Sequence, residues 1–366
     1  MSKPVLTEEI AFKALGEFFR DKPFVFFGTG MSCAIDSCFG MPALKDALLS
    51  EISDSSLSGQ ELEEWKAVRN DIANGMDLES AMDQVSTESL LHRITSTSAQ
   101  FMVEQDRKYA HEIAEGRVSW PAGALLQKLV DTLPAGDPVL HVLTPNYDLL
   151  FEYQMDVRGV EYANGFHGCV QRRLNWNLAA LDTYSVATNL MGRRLRNMAK
   201  PRKHARLYKV HGSLSYFFHK NAVVENNAWI WQPPPSIQRV MITPGRSKFA
   251  VLQRFRQELQ GPADTAINTA SQFLFLGYGF NDVHLEEYIR RKLVTQKSLA
   301  MVITRDSNAR IDSLAHEAEQ MWVVSRDPTG GGPGTRIFNG AFDAPLVLHG
   351  RELWKVDEFT SQILES

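Results

Sequence analysis

The sequence predicts an α/β fold: a parallel sheet with a module of helices inserted into it. The run Phe24-Val25-Phe26-Phe27, led in by Asp21-Lys22-Pro23 and closed by Gly28, is apolar at every position. It therefore reads as a strand buried on both faces, as strands of parallel sheets are. Comparable runs recur at Val139-Leu140-His141-Val142-Leu143, Leu207-Tyr208-Lys209-Val210, Phe273-Leu274-Phe275-Leu276 and Leu299-Ala300-Met301-Val302-Ile303. The first and fourth run into glycine-bearing turns and then into helical segments, the alternation that builds parallel sheets.

Residues 7–20 carry Ile10, Phe12, Leu15, Phe18 and Phe19 among charges, a helical period that leads into the first strand. After Gly28-Thr29-Gly30-Met31-Ser32 comes a loop from Cys33 to Met41. Pro42, suited to a first helical turn, then opens a helix with Leu44, Leu48, Leu49 and Ile52 on one face. From about 54 to 137 the chain reads as successive helices at 62–72, 78–85, 90–94 and 101–113, a helical insertion that no Pro/Gly/Ser-rich linker isolates from the sheet.

The second strand runs into Thr144-Pro145-Asn146-Tyr147-Asp148 and the third into His211-Gly212-Ser213. Between them, residues 166–206 hold Arg172, Arg173, Arg193, Arg194, Arg196, Lys200, Arg202, Lys203 and Arg206 against one acid, Asp182. This stretch reads as a solvated basic loop that could meet nucleic-acid phosphates or an acidic partner. The fourth strand ends in Gly277-Tyr278-Gly279-Phe280-Asn281-Asp282, with a helix over Leu285 to Leu293. A C-terminal extension of about 304–366 holds a flexible Thr329-to-Gly334 loop and a closing segment from Leu353 to Leu364.

Composition bounds what such a chain can do. At 366 residues and 44% hydrophobic content it can bury a large core. A net charge of −4 argues against a surface that coats nucleic acid or a membrane. The three cysteines, Cys33, Cys38 and Cys169, form no Cys-x-x-Cys pair, and the ten histidines show no zinc-ligand spacing. A disulfide framework and a zinc ribbon are excluded, and no metal is expected. Nothing resembles a signal-peptide core or a spanning helix, so a cytoplasmic location is expected.

With no Cβ at Gly28 and Gly30, main-chain N–H groups of the first turn can approach a diphosphate, with a helix start behind them. A plain strand-to-loop turn competes, because Cys33 stands where a dinucleotide fingerprint has its third glycine. Asn146, Asp148 and His211 sit at strand ends, where open α/β sheets bind ligands. Taken singly, the first two are also ordinary turn residues and the third an ordinary structural histidine.

Taken together and in this order, Gly28-Thr29-Gly30-Met31-Ser32, Thr144-Pro145-Asn146-Tyr147-Asp148, Lys209-Val210-His211-Gly212-Ser213 and Gly277-Tyr278-Gly279-Phe280-Asn281-Asp282 resemble the sirtuin family. More closely, they resemble the bacterial sirtuin-like proteins of antiphage defence. The resemblance implies a Rossmann-like parallel sheet that binds NAD over the whole of residues 1–366. By position it implies Gly28, Thr29, Gly30 and Ser32 at the cofactor, Asn146 and Asp148 at the nicotinamide ribose, and His211 as the catalytic residue. The second glycine turn, Gly277 and Gly279 with Asn281 and Asp282, is expected at the adenosine half, where a carboxylate accepts from ribose hydroxyls.

Two departures shape the expected activity. Deacetylating sirtuins carry Gln where this chain has Pro145, and they carry a four-cysteine zinc module that it lacks. Without the module the acyl-lysine track is missing, which leaves water as the acceptor and implies hydrolysis of NAD to nicotinamide and ADP-ribose, as in the defence proteins. The chemistry suits the residues: cleavage passes through an oxocarbenium-like state, and the pyridinium leaves as a neutral molecule without a general acid. Asn146 can orient ribose and water, Asp148 can offset positive charge, and His211 can act as base. His167, in Gly165-Phe166-His167-Gly168, competes for the last role, but no strand leads into it.

Two other readings stand beside hydrolysis: an NAD-dependent deacylase or ADP-ribosyltransferase, and a silent nucleotide-sensing or scaffold module. Only about sixty residues follow the fifth strand, against roughly 100 for a separate sensor domain. Control is therefore expected from homo-oligomerisation and from a separately encoded partner. The resemblance implies a HerA-type ATPase first and a short Argonaute second, with DNA contacted mainly through that partner and no membrane involved.

Overall fold

The protein is described by a computed structural model covering residues 3–191, 194–241, 248–281 and 283–365. Among them, the main sheet has nine strands. Across the sheet these run Leu346–His349, Gly334–Asn339, Met321–Arg326, Leu299–Thr304, Gln272–Leu276, Phe24–Phe27, Val139–Thr144, His204–Lys209 and Tyr162–Ala163. All neighbours are parallel except the two C-terminal strands, which are antiparallel. Leaving aside the short edge strand Tyr162–Ala163, the six long parallel strands fall in the order third, second, first, fourth, fifth, sixth, the Rossmann arrangement. The chain therefore reverses its winding between Phe24–Phe27 and Gln272–Leu276, at the position where ligands of this architecture bind.

The apolar runs form these strands because both faces of the sheet are covered. Val25, Phe27, Val142, Leu207, Leu274 and Met301 point into one core with Leu15, Leu125, Leu126 and Phe151. Phe24, Phe26, Leu143, Tyr208, Phe273 and Phe275 point into the other, with Ile267, Ile289 and Ile311. Phe26 lies 5.0 Å from Phe275 and 6.2 Å from Phe273, centroid to centroid. Such aromatic pairs add about 0.5–1.5 kcal/mol each beyond their buried area.

Between the first and second strands the chain forms the helices Met41–Glu51, Gly59–Ala73, Leu78–Met82, Glu88–Ala114 and Gly123–Asp131. The first three and the opening turns of the fourth bury their own cluster, with Leu44, Trp65, Met82, Leu90 and Ile94 at its centre. The two helices expected at 90–94 and 101–113 are one, Glu88–Ala114, whose buried positions continue through Ser98, Ala99 and Met102. Small residues there preserve the helical stripe where apolar spacing alone shows a gap.

The stretch 166–206 is not a loop. It holds the strands Phe166–Gly168 and Arg172–Leu174, the helix Trp176–Leu181 and a hairpin of Tyr184–Met191 with Arg194–Pro201. Its first two strands join Ala222–Glu225, Gly212–His219 and Gln238–Met241 in an antiparallel second sheet. Arg172 turns inward to Glu225, Arg202 pairs with Glu161 at 2.9 Å, and Lys203 donates to the Asp131 carbonyl, so these cations are engaged within the chain. Arg193 lies outside the described residues. The C-terminal extension, expected to be loop and tail, adds three strands to the sheet before the segment Val356–Phe359 closes on the first core.

Candidate functional site

Pairing register brings the four motifs into one row. Phe27 pairs with Leu276, Phe26 with Leu143, and Thr144 with Lys209. The residues just beyond, Gly28, Gly277, Asn146 and His211, thus leave the carboxyl ends of four adjacent parallel strands side by side. No single motif shows this convergence.

Asn146 is held from three directions. Its main-chain N–H donates to Thr144 Oγ1 at 3.0 Å, and its Nδ2 donates to the Gly28 carbonyl at 3.1 Å and to Ser32 Oγ at 3.0 Å. Both amide donors are spent, which leaves Oδ1 buried without a hydrogen-bond partner. An orphaned buried acceptor costs about 1–3 kcal/mol, and a ligand or water that donates to it recovers that cost. Ser32, fully buried, donates its hydroxyl hydrogen bond to Asp148 Oδ2 at 2.7 Å. Asp148 also accepts from the Leu150 N–H at 3.3 Å.

Asp148 is thus beneath Ser32 and buried, where it orients the Asn146–Ser32 chain from behind. Burial pushes its carboxyl up, against Lys209 and the Ser32 hydroxyl, which pull it down. His211 is half-buried in the connection between His204–Lys209 and Gly212–His219. Gly212 has φ +83°, and a Cβ there would meet the Val240 carbonyl oxygen at 2.0 Å. Only glycine lets the chain pass from one sheet to the other here, and that places His211 beside the second strand's end.

The glycine turns do something other than expected. The Gly28 N–H donates to the Leu276 carbonyl and the Gly30 N–H to the Gly277 carbonyl, both at 3.0 Å. A Cβ on Gly28 or Gly30 would sit 2.7 Å from the Gly277 oxygen. The missing side chains therefore let the two turns close on each other at the winding reversal, and these two amides are not free for a diphosphate. Thr29 lies half-buried and Gly30 exposed at the start of the short helix Thr29–Cys33. Asn308 Nδ2 donates to the Gly279 carbonyl at 3.0 Å and Arg310 to the Phe280 carbonyl at 3.1 Å, which fastens the second turn. Asn281 is exposed beside it, and Asp282 lies outside the described residues.

Sequence reading missed the layer beneath the site. Lys209 is buried with its ammonium 2.7 Å from Glu152, and it also donates to the Asp148 carbonyl. Asp106, fully buried, accepts from the Leu149 N–H at 2.7 Å and from the Tyr153 hydroxyl at 2.6 Å. Burial pushes Glu152 up to about 7 and Asp106 up to about 6, with Lys209 lowering both. The available signal was a charged residue inside each apolar segment, Lys209 in its strand and Glu152 among Leu150, Phe151 and Met155.

His167 lies on the strand Phe166–Gly168 with Nδ1 2.7 Å from Asp182 Oδ2. A cavity of about 430 Å³ opens near it, lined by Asp156, Glu161, Tyr162, Arg172 and Arg202. Its lining includes none of Gly28, Asn146, Asp148, His211 and Gly277, and both arginines are committed to protein partners. Among the described residues no group of three or more His, Cys, Asp and Glu side chains is placed to hold a metal ion. No described helix is long and apolar enough to cross a membrane.

No curated protein matches this sequence. Among solved structures, a chain reported as "Structural Basis for the Mechanism and Regulation of Sir2 Enzymes" aligns over 84% of this chain and 90% of that one, at 13% identity and a TM-score of 0.42. A likeness of that degree carries no further argument. The model of the SIR2-like domain matches residues 140–322, half of the chain, and spans the strand ends that carry Asn146, Asp148, His211 and the second glycine turn. By that match the chain belongs to the SIR2-like domain family.

Proposed function

We propose that this protein hydrolyses NAD to nicotinamide and ADP-ribose. The observation that carries the reading is Asn146: it stands at a strand end of a SIR2-like domain with both amide donors committed and a buried acceptor unmet. A ribose hydroxyl or the attacking water supplies the missing donor. The bond between nicotinamide and ribose C1′ breaks with its electron pair leaving on the neutral nicotinamide, water oxygen bonds to C1′, and the water proton passes to His211. Asp148 contributes a negative field from behind Ser32. The adenosine half is assigned to the second glycine turn, Gly277 and Gly279 with Asn281 and Asp282. Asp282→Ala is expected to raise KM more than it lowers kcat.

Water is favoured as acceptor over acyl-lysine because the chain has no four-cysteine module to form the peptide cleft. The motif resemblance further supports a role as a defence effector that depletes NAD, in a homo-oligomer controlled by a separately encoded ATPase or Argonaute. The test is incubation of the purified chain with NAD, alone, with an acetylated peptide and with the candidate partner. Free nicotinamide and ADP-ribose without peptide is the expected result. Nicotinamide release only in the presence of peptide would overturn hydrolysis.

A further inference from the structure

Lys209 closes the strand His204–Lys209 at the position paired with Thr144. Its side chain is 1% exposed, and that of its partner Glu152 is 8% exposed. The ammonium has three neighbours on three segments: the Asp148 main-chain oxygen, Ser213 Oγ at 3.3 Å, and Glu152 Oε1 at 2.7 Å. These belong to the turn after the second strand, the segment after the third, and the helix Leu150–Arg158. The Glu152 carboxylate meets Lys209 in a close ion pair, and Lys209 is the cation that lowers its pKa against burial. Serving Lys209 is therefore the role visible for this carboxylate.

The Ser213 hydroxyl also joins two of these segments, donating to the Tyr147 carbonyl at 3.4 Å. Val210 N–H donates to the Thr144 carbonyl at 3.3 Å and Leu214 N–H to the Tyr147 carbonyl at 3.0 Å. Neither reaches Asp148. A buried ion pair is a poor stabiliser, since apolar residues of the same volume often serve as well or better. Its presence under the strand ends calls for a different explanation, and geometry supplies one.

We infer that Lys209, with Glu152 as counter-ion, is the positioning residue that clips the Asn146–Asp148 turn to the His211–Ser213 segment and so sets their register for cleavage. The inference rests on the NAD-hydrolase reading for its effect on turnover, and on the three contacts alone for its effect on structure. Lys209→Met removes the charge and keeps the stem. Because it strands Glu152 unpaired, a second variant, Lys209→Met with Glu152→Leu, restores an apolar filling of similar volume.

Both folded variants are expected to lose kcat for nicotinamide release by about 10- to 100-fold, the usual effect of a misplaced catalytic group, with KM changed less than about threefold. Hydrogen exchange without NAD should quicken in peptides covering 144–150 and 210–214 and stay unchanged in the core strands. A folded double variant with native kcat, or exchange that is unchanged or rises uniformly, overturns the clip. Native protein that releases no nicotinamide, either alone or with the candidate partner, overturns the hydrolase reading instead, and the exchange measurement still decides the clip by itself.

Discussion

Asn146 has no freedom in how it presents its amide: the Gly28 carbonyl and Ser32 Oγ take its donors, so its acceptor is left buried and unmet. Asn146→Ala and His211→Ala should each reduce nicotinamide release by about 10²- to 10⁴-fold with the fold retained, the usual loss on removing a positioned polar group or base. His167→Ala should leave turnover near native, because His167, on the second sheet, is paired with Asp182 at the end of the helix Trp176–Leu181. The reverse pattern would reassign the base. Ser32→Ala strips a partner from both Asn146 and Asp148, and urea unfolding should show a loss of about 1–3 kcal/mol. An unchanged midpoint would mean water replaces the hydroxyl. Asn146, Asp148 and His211 were legible because strand-end motifs announce themselves locally. Glu152 and Asp106 were not, because which face of a helix meets the sheet is decided only by packing, and Lys209 was not, because its partners come from other segments of the chain.

At the scale of elements, the two glycine turns form one joint. Gly277 has φ +53°, and its Cβ would lie 2.7 Å from the Met31 nitrogen. Gly30→Ala and Gly277→Ala should each destabilise by more than about 1 kcal/mol and weaken NAD binding, since neither backbone can retreat without opening the joint. The double variant should cost less than the sum, as one opening serves both; chemical denaturation of the set measures this, and strict additivity would show that the turns move independently. Five strands were legible because they are apolar on both faces. Met321–Arg326, Gly334–Asn339 and Leu346–His349 were not read, because the first ends in Ser325 and Arg326 and the other two lie at an edge with polar Thr335 and Arg336 in their ladder.

For the whole molecule, buried acids set a pH dependence. Burial pushes Glu152 to about 7 from an ordinary 4.5, so between those values the folded chain keeps a proton there that the unfolded chain releases, and the carboxylate is the charged partner of Lys209 above them. A raised folded value means that stability from this group is present below the unfolded value and is lost as pH rises through the folded one. Glu152→Gln has no such titration. Its stability relative to the native chain should therefore improve between about pH 5 and about pH 8, read by urea unfolding at both; a difference that does not move would contradict the assigned burial. NAD at about 100 times its Kd should add about 2.7 kcal/mol of stability if it binds the folded chain alone. Protection from hydrogen exchange should then concentrate at residues 28–33, 144–148 and 277–281. Protection centred on the cavity near Arg202 would move the site.

The sequence by itself determined that this chain is an α/β protein with a parallel sheet, that its first and fourth strands end in glycine turns, and that Asn146, Asp148 and His211 stand at strand ends. Each of these is a local property: apolarity on both faces of a short run, or a turn residue immediately after it. Only the tertiary structure decided the strand order, the meeting of Gly28 and Gly30 with Gly277, the burial of Asp148 behind Ser32, and the ion pair of Lys209 with Glu152. Those contacts join residues separated by scores to hundreds of positions or select one face of a helix. They follow from how the sheet and its covering helices exclude water together, which no local pattern records.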